Sequence, residues 1–117
     1  MPIEDQLQEW GCDIKGALAR FLNDTELFES CLVRVIEDES FAKLKKALDE
    51  KDVVETFNSA HTLKGVLANM GLTPMYETIC SIVEPVRGGD VDAIESVSGF
   101  YPVLMEQLEH LKTIVQG

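Results

Sequence analysis

Basic residues are scarce in this chain: ten lysines and arginines stand against 21 aspartates and glutamates, a formal net charge of −11. Such a balance disfavours nucleic acid and anionic membranes, both of which attract basic surfaces. Cysteine offers no framework, because Cys12, Cys31 and Cys80 are odd in number, widely spaced and form no C-x-x-C pair. They read as reduced thiols of a cytosolic protein. No apolar run approaches the ~18–20 residues needed to span a bilayer. The opening Met1-Pro2-Ile3-Glu4-Asp5 lacks the basic and apolar regions of a signal peptide, so a cytoplasmic location is expected. Phosphate-cradling loops are missing too: Gly88-Gly89 is the only glycine pair and has neither G-x-G-x-x-G nor G-x-x-x-x-G-K-[ST] spacing. Neither histidine has a glutamate three residues before it, as a di-metal carboxylate bundle needs. No ATP-using kinase core, metal or other cofactor is expected.

What remains is apolar periodicity at helical spacing. With 117 residues, 45% hydrophobic and 26% charged, the chain suits one folded domain over 1–117, with 1–10 as a loosely ordered N-terminal segment. Leu7 and Trp10 start a pattern that breaks at Gly11-Cys12-Asp13 and resumes with Ile14, Leu18 and Phe21. Asp24 or Thr25 can cap a helix carrying Leu27, Phe28, Cys31, Leu32, Val35 and Ile36, and Ser40 can cap one carrying Phe41, Leu44, Ala47 and Leu48. Thr73-Pro74 signals another helix, buried through Met75, Ile79, Ile82, Val83 and Val86, which Pro85 should kink or end. The last helix opens at Asp90 and steps through Ile94, Val97, Tyr101, Leu104, Leu108, Leu111 and Val115, with a bend at Gly99 and Pro102. No segment alternates with period two, so no sheet is predicted. The expected fold is all-α: an up-and-down antiparallel four-helix bundle with short extra N-terminal helices. A monomer is expected, because every apolar seam has an internal partner.

The informative helix lies between Asp52, a suitable N-cap, and Gly71, which suits a left-handed C′ position. Val53, Phe57, Ala60, Leu63, Leu67 and Met70 give it one apolar face, and His61 falls about a quarter-turn from the centre of that face. Lys64 and Gly65 follow one turn on, and Ala68 two turns on. A neutral imidazole is a good nucleophile near pH 7. A phosphoryl group placed on it would bring about two negative charges, which Lys64 is placed to offset. Glycine inside a helix costs about 0.5–1 kcal/mol relative to alanine, so Gly65 needs a reason. Close approach of a partner is one, and internal helix packing is another.

His61-Thr62-Leu63-Lys64-Gly65, followed by Gly71-Leu72, resembles the H-x-L-K-G signature of histidine-containing phosphotransfer (HPt) domains. The similarity runs from about Gly11 to the end and takes in Phe21-Leu22-Asn23-Asp24-Thr25-Glu26-Leu27-Phe28. The resemblance implies a helical bundle in which His61 accepts a phosphoryl group and exchanges it with the aspartate of a response-regulator receiver domain. It implies Lys64 as the charge stabiliser, with Gly65, Ala68, Asn58, Phe57 and Glu84 docking the receiver or surrounding His61. A hybrid sensor histidine kinase would be the upstream partner. Many family members place a glutamine where register puts Val83, which leaves Glu84, Asn58 or water to orient the imidazole here. The competing reading is a structural helical adaptor that binds a signalling partner without taking phosphate. His110, near the end of the last helix, reads as structural or solvent-exposed.

Overall fold

The structure is a computed structural model describing residues 1–117, and it is entirely helical. Eight helices follow one another: α1 (Ile3–Trp10), α2 (Ile14–Arg20), α3 (Thr25–Ile36), α4 (Ser40–Asp49), α5 (Val53–Asn69), α6 (Thr73–Val86), α7 (Ala93–Val97) and α8 (Phe100–Gln116). The connections 50–52 and 70–72 are too short for anything but antiparallel neighbours, so α4, α5 and α6 run up, down and up. The fourth bundle position belongs to α8. Its Tyr101 hydroxyl donates to the Phe41 carbonyl of α4 at 3.0 Å, and Gln107 Nε2 donates to the Pro74 carbonyl of α6 at 3.2 Å. No helix is long and apolar enough to cross a membrane.

The N-terminal residues are part of this packing. Residues 3–10 form α1 rather than a loose segment, and Leu7 is wholly buried. One cluster of 26 buried residues runs from Leu7 to Ile114, so α1, α2 and α3 share a core with the bundle. Trp10 meets His110 edge-on across α1 and α8, ring centroids 4.6 Å apart, which gives the exposed His110 a structural contact.

The caps explain where the helices stop. Asp13, Asp24 and Asp52 each accept a hydrogen bond from the backbone amide three residues on, satisfying an otherwise free donor. Ser40 does not cap α4. It is the first helical residue, and the carboxylate of Asp38 takes its amide at 2.7 Å. At the end of α5 the Leu72 amide reaches back to Leu67 O at 3.0 Å and the Gly71 amide to Ala68 O at 3.1 Å. Gly71, at φ +69°, takes the left-handed position between them. A second clasp comes from α2: Arg20 donates to the carbonyls of Asn69 at 2.9 Å and Ala68 at 3.1 Å. Cationic donors suit this end of the helix dipole.

The C-terminal part departs from expectation in two places. The expected bend near Gly99 is a break, which divides the segment into α7 and α8, and Asp90 lies in the turn before α7. Within the last turns Ile114, at 6% exposure, takes the core position expected of the partly buried Val115. Pro85 falls in the final turn of α6, where the helix ends at Val86.

Candidate functional site

Helix α5 decides what the histidine can do. Its buried side includes Thr56 and Ser59, at 0% and 6% exposure, besides Ala60, Leu63 and Leu67, while Phe57 is only partly buried. Taking Thr56 and Ser59 into the core while Val53 and Phe57 fall to its margin turns the centre of the buried stripe by about a tenth of a turn and leaves it about 150° from His61, at 100° per residue. His61 therefore stands near the opposite side of the helix, exposed, and not a quarter-turn from the core as apolar residues alone imply.

Around it the two central helices supply a compact set of groups. Phe57, one turn before His61, stacks on the imidazole with centroids 5.4 Å apart and planes 28° apart. Lys64, one turn after, sends Nζ to Glu84 Oε1 of α6 at 3.4 Å. Glu84 also holds Arg87 in a fork, Nη2 to Oε1 at 3.0 Å and Nε to Oε2 at 3.1 Å. The Arg87 guanidinium in turn lies 5.3 Å from the centroid of the Phe57 ring, within cation–π reach. Arg87 chiefly, and Lys64 besides, hold the Glu84 carboxyl below its ordinary range, and Glu84 holds Arg87 above its own. Exposure of these groups keeps each pair individually weak.

Gly65 and Ala68 are both exposed on the same side as His61. A Cβ built on Gly65 would meet nothing within 4 Å, so internal helix packing is not the reason for this glycine. Together they keep the helix surface low beside the imidazole. Gly71 is the opposite case. Besides its left-handed backbone, a Cβ there would collide with the Asp13 carbonyl, and the Asp13 amide donates to Gly71 O at 2.9 Å.

Two expectations about how His61 is oriented change. Val83 is fully buried in the core, and no side chain hydrogen-bonds the imidazole. Asn58 is turned to Glu55 on its own helix at 3.4 Å, and Glu84 is taken by Lys64 and Arg87. The stacked Phe57 ring is what restrains the imidazole. Phe57, His61, Lys64, Gly65, Ala68 and Glu84 are thus assembled on one surface, and Asn58 lies to one side of it.

Sequence reading missed Arg87 and Arg20. The signal for Arg87 was its i+3 spacing from Glu84 at the end of a helix antiparallel to α5. Arg20 had none, because its partners are backbone carbonyls 48 and 49 residues away. No group of three or more His, Cys, Asp or Glu side chains is placed to hold a metal ion. Burial pushes the Cys12 thiol up to about 11, so it stays protonated in the core.

A family model described as the Hpt domain matches residues 37–114, which takes in α4 to α7, all but the last two residues of α8, and every residue of the surface just described. Over 76 residues the chain is 36% identical to the chemotaxis protein CheA of Bacillus subtilis (strain 168). That stretch is 62% of this chain and 11% of the relative, so the chain spans only a small part of CheA's length. No solved structure gives a significant match. With the family model covering more than half of an all-helical chain, the protein belongs to the Hpt-domain family of histidine phosphotransfer proteins.

Proposed function

We propose that the chain is a phosphocarrier of a His–Asp phosphorelay, with His61 as the phosphoacceptor. The group arrives from the aspartyl phosphate of a response-regulator receiver domain, supplied by a hybrid sensor histidine kinase, and leaves to the aspartate of a second receiver. The unprotonated ring nitrogen attacks phosphorus while the acyl P–O bond breaks and its electron pair returns to the aspartate carboxylate. The other ring nitrogen keeps its proton.

The observation that carries this reading is an exposed imidazole beside the bare strip of Gly65 and Ala68. An attacking nitrogen must come within about 3–3.5 Å of phosphorus, so a protruding neighbour would hold the receiver off. Lys64, at the edge of the strip, offsets charge developing on the phosphoryl oxygens. Phosphoryl transfer asks mainly for positioning and charge stabilisation. Most of the catalytic apparatus can therefore reside on the receiver.

The test is loading from a phosphorylated receiver, followed by mass spectrometry under alkaline conditions that preserve the acid-labile N–P bond. Wild type and His110→Gln should carry one phosphoryl group and His61→Gln none. A protein that binds receivers but never becomes labelled would be the adaptor of the competing reading. Labelling lost in His110→Gln and kept in His61→Gln would move the acceptor to His110.

A further inference from the structure

Both cations of the site, Lys64 and Arg87, are committed to one carboxylate, that of Glu84. Glu84 Oε1 accepts from Lys64 Nζ at 3.4 Å and from Arg87 Nη2 at 3.0 Å, while Oε2 accepts from Arg87 Nε at 3.1 Å. Neither cation is engaged by another protein carboxylate in the structure. Each is tied to the surroundings of the imidazole: Lys64 is one turn along α5 from His61, and Arg87 lies over the Phe57 ring that stacks against His61. Glu84 itself is exposed and can be rehydrated without moving a helix.

We infer that Glu84 is an internal substitute for the phosphoryl group, holding Lys64 and Arg87 while His61 is bare and yielding them to the phosphoryl oxygens once the histidine is loaded. The inference rests on His61 being the acceptor. A phosphoryl group offers three acceptor oxygens and up to about two negative charges, against one charge on a carboxylate, so it wins the exchange. Arginine's planar fork fits either anion, and a change of χ angles suffices to switch partners. The exchange also limits how firmly the phosphoryl group is held, since every bond the cations make to it replaces one they made to Glu84. Such a carrier is poised to release its cargo as readily as it takes it. Glu84 is here a positioning residue, because it acts through the two cations and touches neither reacting atom.

Phosphoramidate tests this without a receiver, since the imidazole displaces ammonia from it in a reversible N-to-N transfer. At a fixed ratio of phosphoramidate to ammonia, ³¹P NMR gives the equilibrium ratio of loaded to bare His61. Glu84→Gln should raise that ratio about two- to fivefold and Arg87→Gln lower it by a similar factor, the range expected of exposed ion pairs. The gain separates the exchange from a structural role, which could only lose. In wild type the Arg87 Nε–H resonance should shift on loading, while in Glu84→Gln it should start away from its wild-type position. Wild type that loads, with an unmoved Arg87 signal and an unchanged ratio in Glu84→Gln, overturns the exchange and leaves the acceptor assignment intact. Wild type in which His61 never loads overturns the acceptor assignment and the exchange together.

Discussion

Phe57 and His61 face each other one helical turn apart, rings stacked at 5.4 Å, and no side chain hydrogen-bonds the imidazole. A stack restrains the ring plane but leaves both nitrogens open to a partner. It also ties His61 to the Glu84 network, because Arg87 sits over the same Phe57 ring.

Removing that aromatic ring should therefore slow the chemistry more than it weakens the fold. Phe57→Leu keeps an apolar side chain, and an i,i+4 pair of this kind is worth only about 0.2–0.5 kcal/mol to a helix. Initial rates of phosphoramidate labelling should fall several-fold, with a melting temperature close to that of wild type. Labelling at the wild-type rate would mean that the stack positions nothing.

Gly65→Gln separates docking from packing. With open space around the position, the longer side chain meets no core, and helix propensity alone leaves stability unchanged or raised by up to about 1 kcal/mol. Transfer from a phosphorylated receiver should nevertheless be blocked, while phosphoramidate, a small donor, still loads His61. Unimpaired receiver transfer would remove Gly65 from the docking surface.

Gly71→Ala should fail in the other direction. A left-handed backbone costs a residue with a Cβ about 1–2 kcal/mol, and here that atom also collides with the Asp13 carbonyl. Chemical denaturation should show a loss of at least that size. A loss of only a few tenths would mean that the turn adapts.

Acid should tighten the attachment of α1. Glu4 is held above its ordinary range, first by burial and then by Glu29, and its Oε2 is buried with no partner. A carboxyl pair of this kind forms a hydrogen bond only when one member keeps its proton. Because the folded state binds that proton more strongly than the unfolded chain, the stability it adds is full below the ordinary value of about 4.3. It is lost as pH rises through the raised one. Glu4→Gln should melt above wild type at pH 7, and the two should converge below about pH 4. Parallel melting curves at every pH would exclude the pair as the cause.

The bundle was legible wherever burial coincided with apolar character. The buried side of α6 matches its apolar periodicity residue for residue, that of α4 adds only Ser40 to Phe41, Leu44, Ala47 and Leu48, and the Asp52 and Gly71 caps lie where their chemistry places them. Reading failed where small polar residues were buried. Thr56 and Ser59 face inward on α5, and leaving them out of the core put His61 too close to it. Partners between helices were also hidden. Arg87 is marked locally only by its i+3 spacing from Glu84, which says nothing of its reach to Phe57 on another helix, and nothing local distinguishes Arg20, which reaches the α5 carbonyls across the fold. Ser40 has the chemistry of a cap, but Asp38, two residues earlier, has it too and is the one whose carboxylate takes the free amide.

The clasp of Arg20 on Ala68 and Asn69, with the Asp13 amide on Gly71 O, bears on where an expression boundary can be drawn. Both donors precede residue 37, the first residue matched by the family model. A fragment trimmed to 37–114 would strip the hydrogen-bond donors from the C-terminal end of the histidine helix. It would also uncover the part of the core that Leu7, Ile14, Ala17, Phe28, Leu32 and Val35 now close. The stretch that identifies the family is therefore smaller than the stretch that must be purified to study it.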